Sequence, residues 1–122
     1  MRGRSPIGQR VSVATATEAA LKRCSLACKE VVAAYLDEEE ATRSEFGRCL
    51  LRAAAAIDAA AAALATRGDE RRSTLAIAAP ICHAAAERCR GSGLDPRLLR
   101  AAAACERAAA ICEQEGATSN PR

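Results

Sequence analysis

The chain has 122 residues, seven of them cysteine, and a formal net charge of +3. This length supports one domain whose core does not depend on disulfides or metal for basic stability. The 32 alanines, with one tyrosine, one phenylalanine and no tryptophan, exclude a sheet-rich fold, because alanine favours helices and aromatic strand formers are scarce. The composition predicts an all-α protein.

The charge pattern does not favour nucleic acid or membrane as a partner. The three arginines of residues 1–11 equal the whole net charge of +3, and the segment RGDERR (67–72) is typical of a solvated loop. A basic stripe interleaved with stacking aromatic residues is missing. The first twenty residues lack the apolar segment of a secretory signal, and outside the alanine tracts no run is typical of a membrane span. We therefore expect a cytoplasmic protein, in which thiols stay reduced.

The first predicted helix begins at Ser12 or Thr15 and continues to Leu36. The acidic segment DEEE that follows (37–40) is typical of a solvated turn. Residues 1–11, which combine arginine with glycine, serine and proline, are expected to form a disordered basic leader.

The middle of the chain contains two further predicted helices. The second begins near Thr42 or Ser44 and continues through the alanine tract to Gly68, a typical helix stop. The third opens at DERRST (69–74). Pro80 is expected to kink or break it, because proline removes a backbone donor and clashes with the preceding turn.

The fourth predicted helix follows the turn at 91–93. Asp95 is its expected N-cap, Pro96 takes the first helical position, and Gly116 ends it. Residues 117–122 are expected to be a disordered tail, so that 12–116 form one domain. Four helices joined by short loops predict an antiparallel four-helix bundle with a cysteine-lined core.

The cysteines recur at spacings that place them on one face of each helix. The third and fourth helices share the pattern L-x-x-A-x-x-x-C-x-x-A-x-x-x-C, offset by 23 residues. Spacings that alternate between three and four keep residues on one face, here called the seam, which points into a bundle. In the first helix the seam is Thr17, Leu21, Cys24, Cys28, Val31 and Tyr35. In the second it is Phe46, Cys49, Ala53, Ala56 and Ala60. All seven cysteines are therefore expected to point inward and are the candidate metal ligands: Cys24, Cys28, Cys49, Cys82, Cys89, Cys105 and Cys112.

Inward thiols at these spacings suit a soft metal ion. Cysteines seven residues apart lie about 10.5 Å apart along a helix, too far for a disulfide, although bridges between helices stay open. Thiolates one turn apart can share Cu(I), zinc or an iron–sulfur cluster. The C-x-x-C loops of zinc fingers and ferredoxins are absent. Rows of thiols along a bundle suit Cu(I), which accepts two or three sulfurs.

The motifs CSLAC (24–28), CHAAAERC (82–89) and CERAAAIC (105–112) resemble those of the copper storage proteins, which are cysteine-rich four-helix bundles that hold Cu(I) ions in their cores. The resemblance spans Thr17 to Glu115. It implies Cu(I) storage by core thiolates and, as in the cytosolic branch of the family, a homo-oligomer. We expect the thiolates to take copper from a cytosolic donor. Where the family would have cysteine, six seam positions are apolar, which predicts a lower copper capacity: Leu75, Ala78, Ala85, Leu98, Ala101 and Ala108.

Two other uses of the thiols stay open. Cysteine also packs as a small hydrophobic residue, so the core can be inert or disulfide-bonded. A bundle of this ancestry can also be repurposed for small-molecule binding or catalysis, with Thr17 and Tyr35 as its polar seam residues and the cysteines holding a metal cofactor or disulfides. No catalytic residue is assigned, because one histidine, His83, beside the seam cannot supply a nucleophile, a base and an orienting acid.

Overall fold

The structure, a computed structural model, describes the backbone of residues 6–118 and the side chains of residues 16–117. This part of the chain contains five α-helices and no strand, which confirms the predicted all-α class. The helices are α1 (Pro6–Tyr35), α2 (Glu38–Arg43), α3 (Glu45–Ala63), α4 (Gly68–Gly91) and α5 (Pro96–Thr118).

The first and last helices are longer than predicted. Helix α1 begins at Pro6, where proline is favourable because its φ is preset and its missing N–H would have no intrahelical acceptor. Helix α5 continues past Gly116 to Thr118, because Gly116 does not adopt the left-handed conformation of a helix stop. The division into a leader, a domain and a tail stays a prediction, and residues 1–5 and 119–122 lie outside the described part.

The acidic segment after α1 forms a short helix, so the predicted solvated turn is wrong. Asp37 caps α2: its side chain accepts the N–H of Glu40 at 2.8 Å, and the Glu40 carboxylate accepts the N–H of Asp37 at 3.0 Å. The glutamates of its first turn also face the positive end of the helix dipole. Ser44 ends α2 and caps α3 by accepting the N–H of Gly47 at 2.9 Å.

The later helix boundaries agree with the predicted start and stop signals only in part. Gly68, predicted to stop the second helix, instead opens α4 with φ +78°, while α3 ends at Ala63. Helix α4 runs through Pro80 as one element, so the predicted break does not occur. Pro80 is exposed, and water can solvate the carbonyl group that loses its intrahelical donor. The Asp95 cap is confirmed, since its carboxylate accepts the N–H of Arg97 at 2.7 Å.

Each of the four long helices packs mainly against two of the other three. Helix α1 packs against α3 and α5, and α4 packs against the same two, while α2 lies mainly on α3. The core between them consists mostly of alanine and cysteine. Its larger fully buried side chains are Leu21, Val31, Leu50, Ile57 and Leu75. Such small residues allow helix axes to approach to the close end of their usual separation of about 8–10 Å.

None of the helices within residues 6–118 combines the length and the apolar character that crossing a bilayer requires.

The junction of α2 and α3 yields a stability prediction. A Cβ atom added at Gly47 would lie 2.5 Å from the carbonyl oxygen of Ala41, so backbone must move to accept it. We expect Gly47→Ala to lower the free energy of unfolding by about 1–3 kcal/mol, as overpacking does. Urea denaturation followed by circular dichroism measures the change.

Gly91→Ala is the matched control, because a Cβ atom there meets nothing within 4 Å. It should leave stability unchanged or raise it by up to about 1 kcal/mol, since alanine is the better helix former. Equal denaturation midpoints for the two variants would contradict the close approach of α2 and α3.

Candidate metal centre

Three of the predicted cysteines meet in the core between α1 and α5. Cys24 and Cys28 lie one turn apart on α1, and Cys105 lies opposite on α5. The Sγ atom of Cys105 is 3.7 Å from that of Cys24 and 3.5 Å from that of Cys28, and all three Sγ atoms lie within 4.8 Å of one another. Each side chain is at most 1 % exposed. We call Cys24, Cys28 and Cys105 the three-sulfur cluster.

The spacing of the three sulfur atoms fits a metal ion. A metal–sulfur bond of about 2.3 Å places the sulfurs of a planar three-coordinate site about 4.0 Å apart. The separations of 3.5 and 3.7 Å from Cys105 to the α1 sulfurs reach that value with shifts of a few tenths of an ångström. Three thiolates are soft ligands, so the cluster can hold a soft metal ion.

Hydrogen bonds within the three-sulfur cluster separate the pKa values of its members. Hydrogen bonding with Cys105, followed by the interaction with Cys24, lowers the pKa of Cys28 to about 5, against the opposing effect of burial. Cys24 donates its S–H to Cys105, and this bond, the interaction with Cys28 and burial hold the pKa of Cys24 far above its usual value. At Cys105 the bond from Cys24 favours the thiolate, but donation to Cys28 and burial raise the pKa to about 12. These pKa directions make Cys28 the thiol of the cluster that ionises most easily and favour protonated Cys24 and Cys105.

The other cysteines of α4 and α5 are also fully buried, as predicted. Burial, followed by the charges of neighbouring thiols, raises the pKa values of Cys82 and Cys89 to about 12. Burial and the nearby Glu113 raise the pKa of Cys112 to about 11. These thiols are neutral at physiological pH.

The pKa values of the two thiols on α4 respond to the charges of cysteines on neighbouring helices. The pKa of Cys82 responds first to Cys112 and then to Cys105. The pKa of Cys89 responds to Cys105 and to Cys49. Cys89 is therefore within electrostatic range of Cys105 and Cys49, and Cys82 is within range of Cys112 and Cys105.

Cys49 is only half buried, so the prediction that all seven cysteines point inward is wrong at this position. Helix α3 buries Leu50 and Ile57 completely, and this places Cys49 at the side of the buried face. The physical reason is the apolar area that each face buries. Turning Leu50 and Ile57 inward removes more apolar surface from water than turning the predicted seam residues Cys49 and Ala56 inward. Tyr35, at the end of the α1 seam, is 40 % exposed.

Two polar residues next to cysteines in the sequence form hydrogen bonds outside the three-sulfur cluster. His83 lies on the surface with its Nε2 atom 3.0 Å from Oε2 of Glu113, away from the cluster. Ser25, which the cysteine pattern did not indicate, is buried and donates to the carbonyl oxygen of Ala54 at 3.4 Å. This bond ties α1 to α3 between the two cysteines of CSLAC. Its sequence signal was a polar residue inside a predicted buried motif.

The lowered pKa of Cys28 yields a pH-dependent prediction. At neutral pH the folded apo-protein should show the ultraviolet absorbance of one thiolate, which is lost as the pH falls through about 5. In the unfolded chain this thiol has its ordinary pKa of 9.0 and stays protonated below it. The stabilisation from this ionisation is therefore complete above pH 9.0 and disappears as the pH falls through about 5.

Cys28→Ser should abolish this absorbance step, whereas Cys112→Ser, at an equally buried thiol whose pKa is raised, should retain it. A step of the same size in both variants would contradict the assignment of the thiolate to the three-sulfur cluster.

The chain matches a known protein family whose name is consistent with a cysteine-rich, metal-binding core. The model of the copper storage protein family matches residues 11–117. No curated protein and no solved structure matches the chain. The family match covers most of the sequence and includes every cysteine of the buried core. The chain therefore belongs to the copper storage protein family.

Proposed function

We propose that this protein stores Cu(I) on thiolates in its core. The observation that carries this proposal is the three-sulfur cluster, which is fully buried and spaced for one soft ion. Among the described residues, no histidine or carboxylate joins the cluster. Structural zinc sites need four ligands, whereas Cu(I) accepts three sulfurs, so the donor set favours Cu(I).

The four remaining cysteines supply further ligands in this proposal. Cys89 is within electrostatic range of Cys105, and Cys82 of Cys112 and Cys105, which supports copper binding at more than one level along the core. Cys49 provides a seventh ligand at the side. The seam positions between these thiols are apolar and buried, Ala78 and Ala85 among them. This limits the capacity to fewer ions than a seam with cysteine at every position would hold.

We infer that the long helices form the predicted antiparallel four-helix bundle around these thiols. The cycle of contacts from α1 to α3, α4, α5 and back to α1 supports this arrangement. The connections at 64–67 and 92–95 are short, which favours antiparallel neighbours. Such a bundle surrounds the sulfurs with apolar side chains that exclude water and oxidants.

Copper uptake in this mechanism exchanges protons for metal. In the copper-free core, the thiols with raised pKa values are protonated. Each thiol that binds copper releases its proton. The cytoplasm, where thiols stay reduced, is the compartment in which this chemistry works, and a cytosolic donor supplies the copper. We also expect a homo-oligomer, as in the cytosolic branch of the family.

A pair of alanine variants on α5 tests the assignment of the cluster. Cys105→Ala removes the sulfur that both α1 cysteines contact, and it should weaken the tightest Cu(I) binding by roughly 10–100-fold or more, since loss of an outer-shell partner already costs that much. Cys112→Ala, equally buried on the same helix, should retain the tightest site and lose only capacity.

Titration with Cu(I) in competition with a chelator of known affinity measures both variants. Equal affinities for the two variants would contradict the cluster as the primary site. Absence of tight Cu(I) binding by the unmodified protein would overturn the storage function.

A further inference from the structure

A groove between α3 and α4 opens over Cys49. Its volume is about 420 Å³. Cys49 lies in it with Ile81 and Ala84, and Arg48, Arg52 and Arg88 line it as well. We call it the Cys49 groove. It gives the half-buried thiol a surface on which a small molecule can bind.

The groove is positively charged. Glu45 is its one acidic lining residue, and Arg88 lies 3.4 Å from it. Arg48 donates to the backbone carbonyls of Thr42 and Arg43, which fixes its position without neutralising its charge. Arg52 makes no ion pair within the described residues. Three guanidinium groups against one carboxylate therefore favour an anionic ligand.

Cys49 also connects the groove to the core. Cys49 packs against the hydrophobic core, to which Cys82 and Cys89 belong. On α4, the groove residues Ile81 and Arg88 directly precede these two cysteines. The pKa of Cys89 responds to Cys49, so these two thiols of α3 and α4 lie within electrostatic range of each other.

We propose that copper is loaded through the Cys49 groove, which receives Cu(I) as an anionic complex with a low-molecular-weight thiol, and that Cys49 is the first protein ligand. This proposal rests on the proposed storage function. Two thiolates on one Cu(I) ion form a monoanion, which suits the charge of the groove. A volume of about 420 Å³ falls in the range of about 300–1,000 Å³ typical of small-molecule sites.

The transfer is a ligand exchange without oxidation or reduction. The sulfur of Cys49 bonds to Cu(I) and loses its proton, while one donor thiolate leaves and takes up a proton. The complex keeps its single negative charge. A second exchange, in which Cys89 replaces the other donor thiol in the same way, releases that thiol and moves the copper from the groove into the core.

Stopped-flow measurement of loading from the Cu(I)–glutathione complex tests this route, with copper–thiolate absorbance as the signal. Cys49→Ser should slow loading by roughly tenfold or more, because the first attacking sulfur is lost. Arg52→Gln should slow loading several-fold at low ionic strength, and the difference should vanish at high salt.

Arg100→Gln is the matched control. Arg100 is exposed and lies with Arg97 in a groove of about 380 Å³ between α1 and α5 that has no cysteine among its lining residues. This variant should load at the rate of the unmodified protein. A cationic donor, the acetonitrile complex of Cu(I), should not be slowed by Arg52→Gln, since the groove does not attract it.

Equilibrium titration with Cu(I) separates the two proposals. If the unmodified protein binds no Cu(I), the storage function and the loading route both fail. If it binds Cu(I) tightly but Cys49→Ser and Arg52→Gln load as fast as Arg100→Gln, the loading route is overturned and storage stands. Equal slowing of Arg52→Gln with both donors would overturn the anionic ligand. Arg52 is exposed, so this variant decides the outcome even if Cys49→Ser folds poorly.

Discussion

The small size of the side chains between the helices is the constraint on which the rest of the structure depends. Alanine and cysteine fill most of the core, and neither holds two helices apart. The sulfur of Cys105 reaches 3.5 Å from that of Cys28, and no bulky side chain separates α1 from α5 there. A leucine at the same position would occupy the space between the helices. The alanines therefore act on the metal chemistry indirectly, by setting the distance across which the cysteines meet.

This dry, closely packed core also decides the state of its thiols before metal binds. Burial keeps most of them protonated, so the apo core is free of repulsion between thiolates. Cys28 differs because hydrogen bonding with Cys105, followed by the interaction with Cys24, favours its thiolate. In the copper-free core, protons on the thiols prevent repulsion between the sulfurs. In the loaded core, Cu(I) would do the same. One preformed thiolate gives an incoming ion a ligand that needs no prior deprotonation.

The sequence could predict the four long helices and the burial of six cysteines, because spacings of three and four are a local property. Which helices become neighbours is not local, so the meeting of α1 with α5 was not predictable. Cys49 was misplaced because α3 is rich in alanine: the seam through Cys49 and the one through Leu50 and Ile57 have the same period, and side-chain volume decides between them. The capping box of Asp37 and Glu40 was a readable signal for α2 that the acidic composition obscured.

The same packing that seals the core accounts for the position of its seventh thiol. Burying Leu50 rotates α3 so that Cys49 lies between the core and the surface. A store whose thiols were all buried would have to open its helices to accept each ion, at the cost of exposing apolar surface. A thiol at the boundary removes that requirement, because ligand exchange can begin in water and end in the core. Arginines on both helices line the groove beside Cys49. In the proposed loading route they would attract an anionic complex of Cu(I) with thiols, without placing charge among the buried sulfurs.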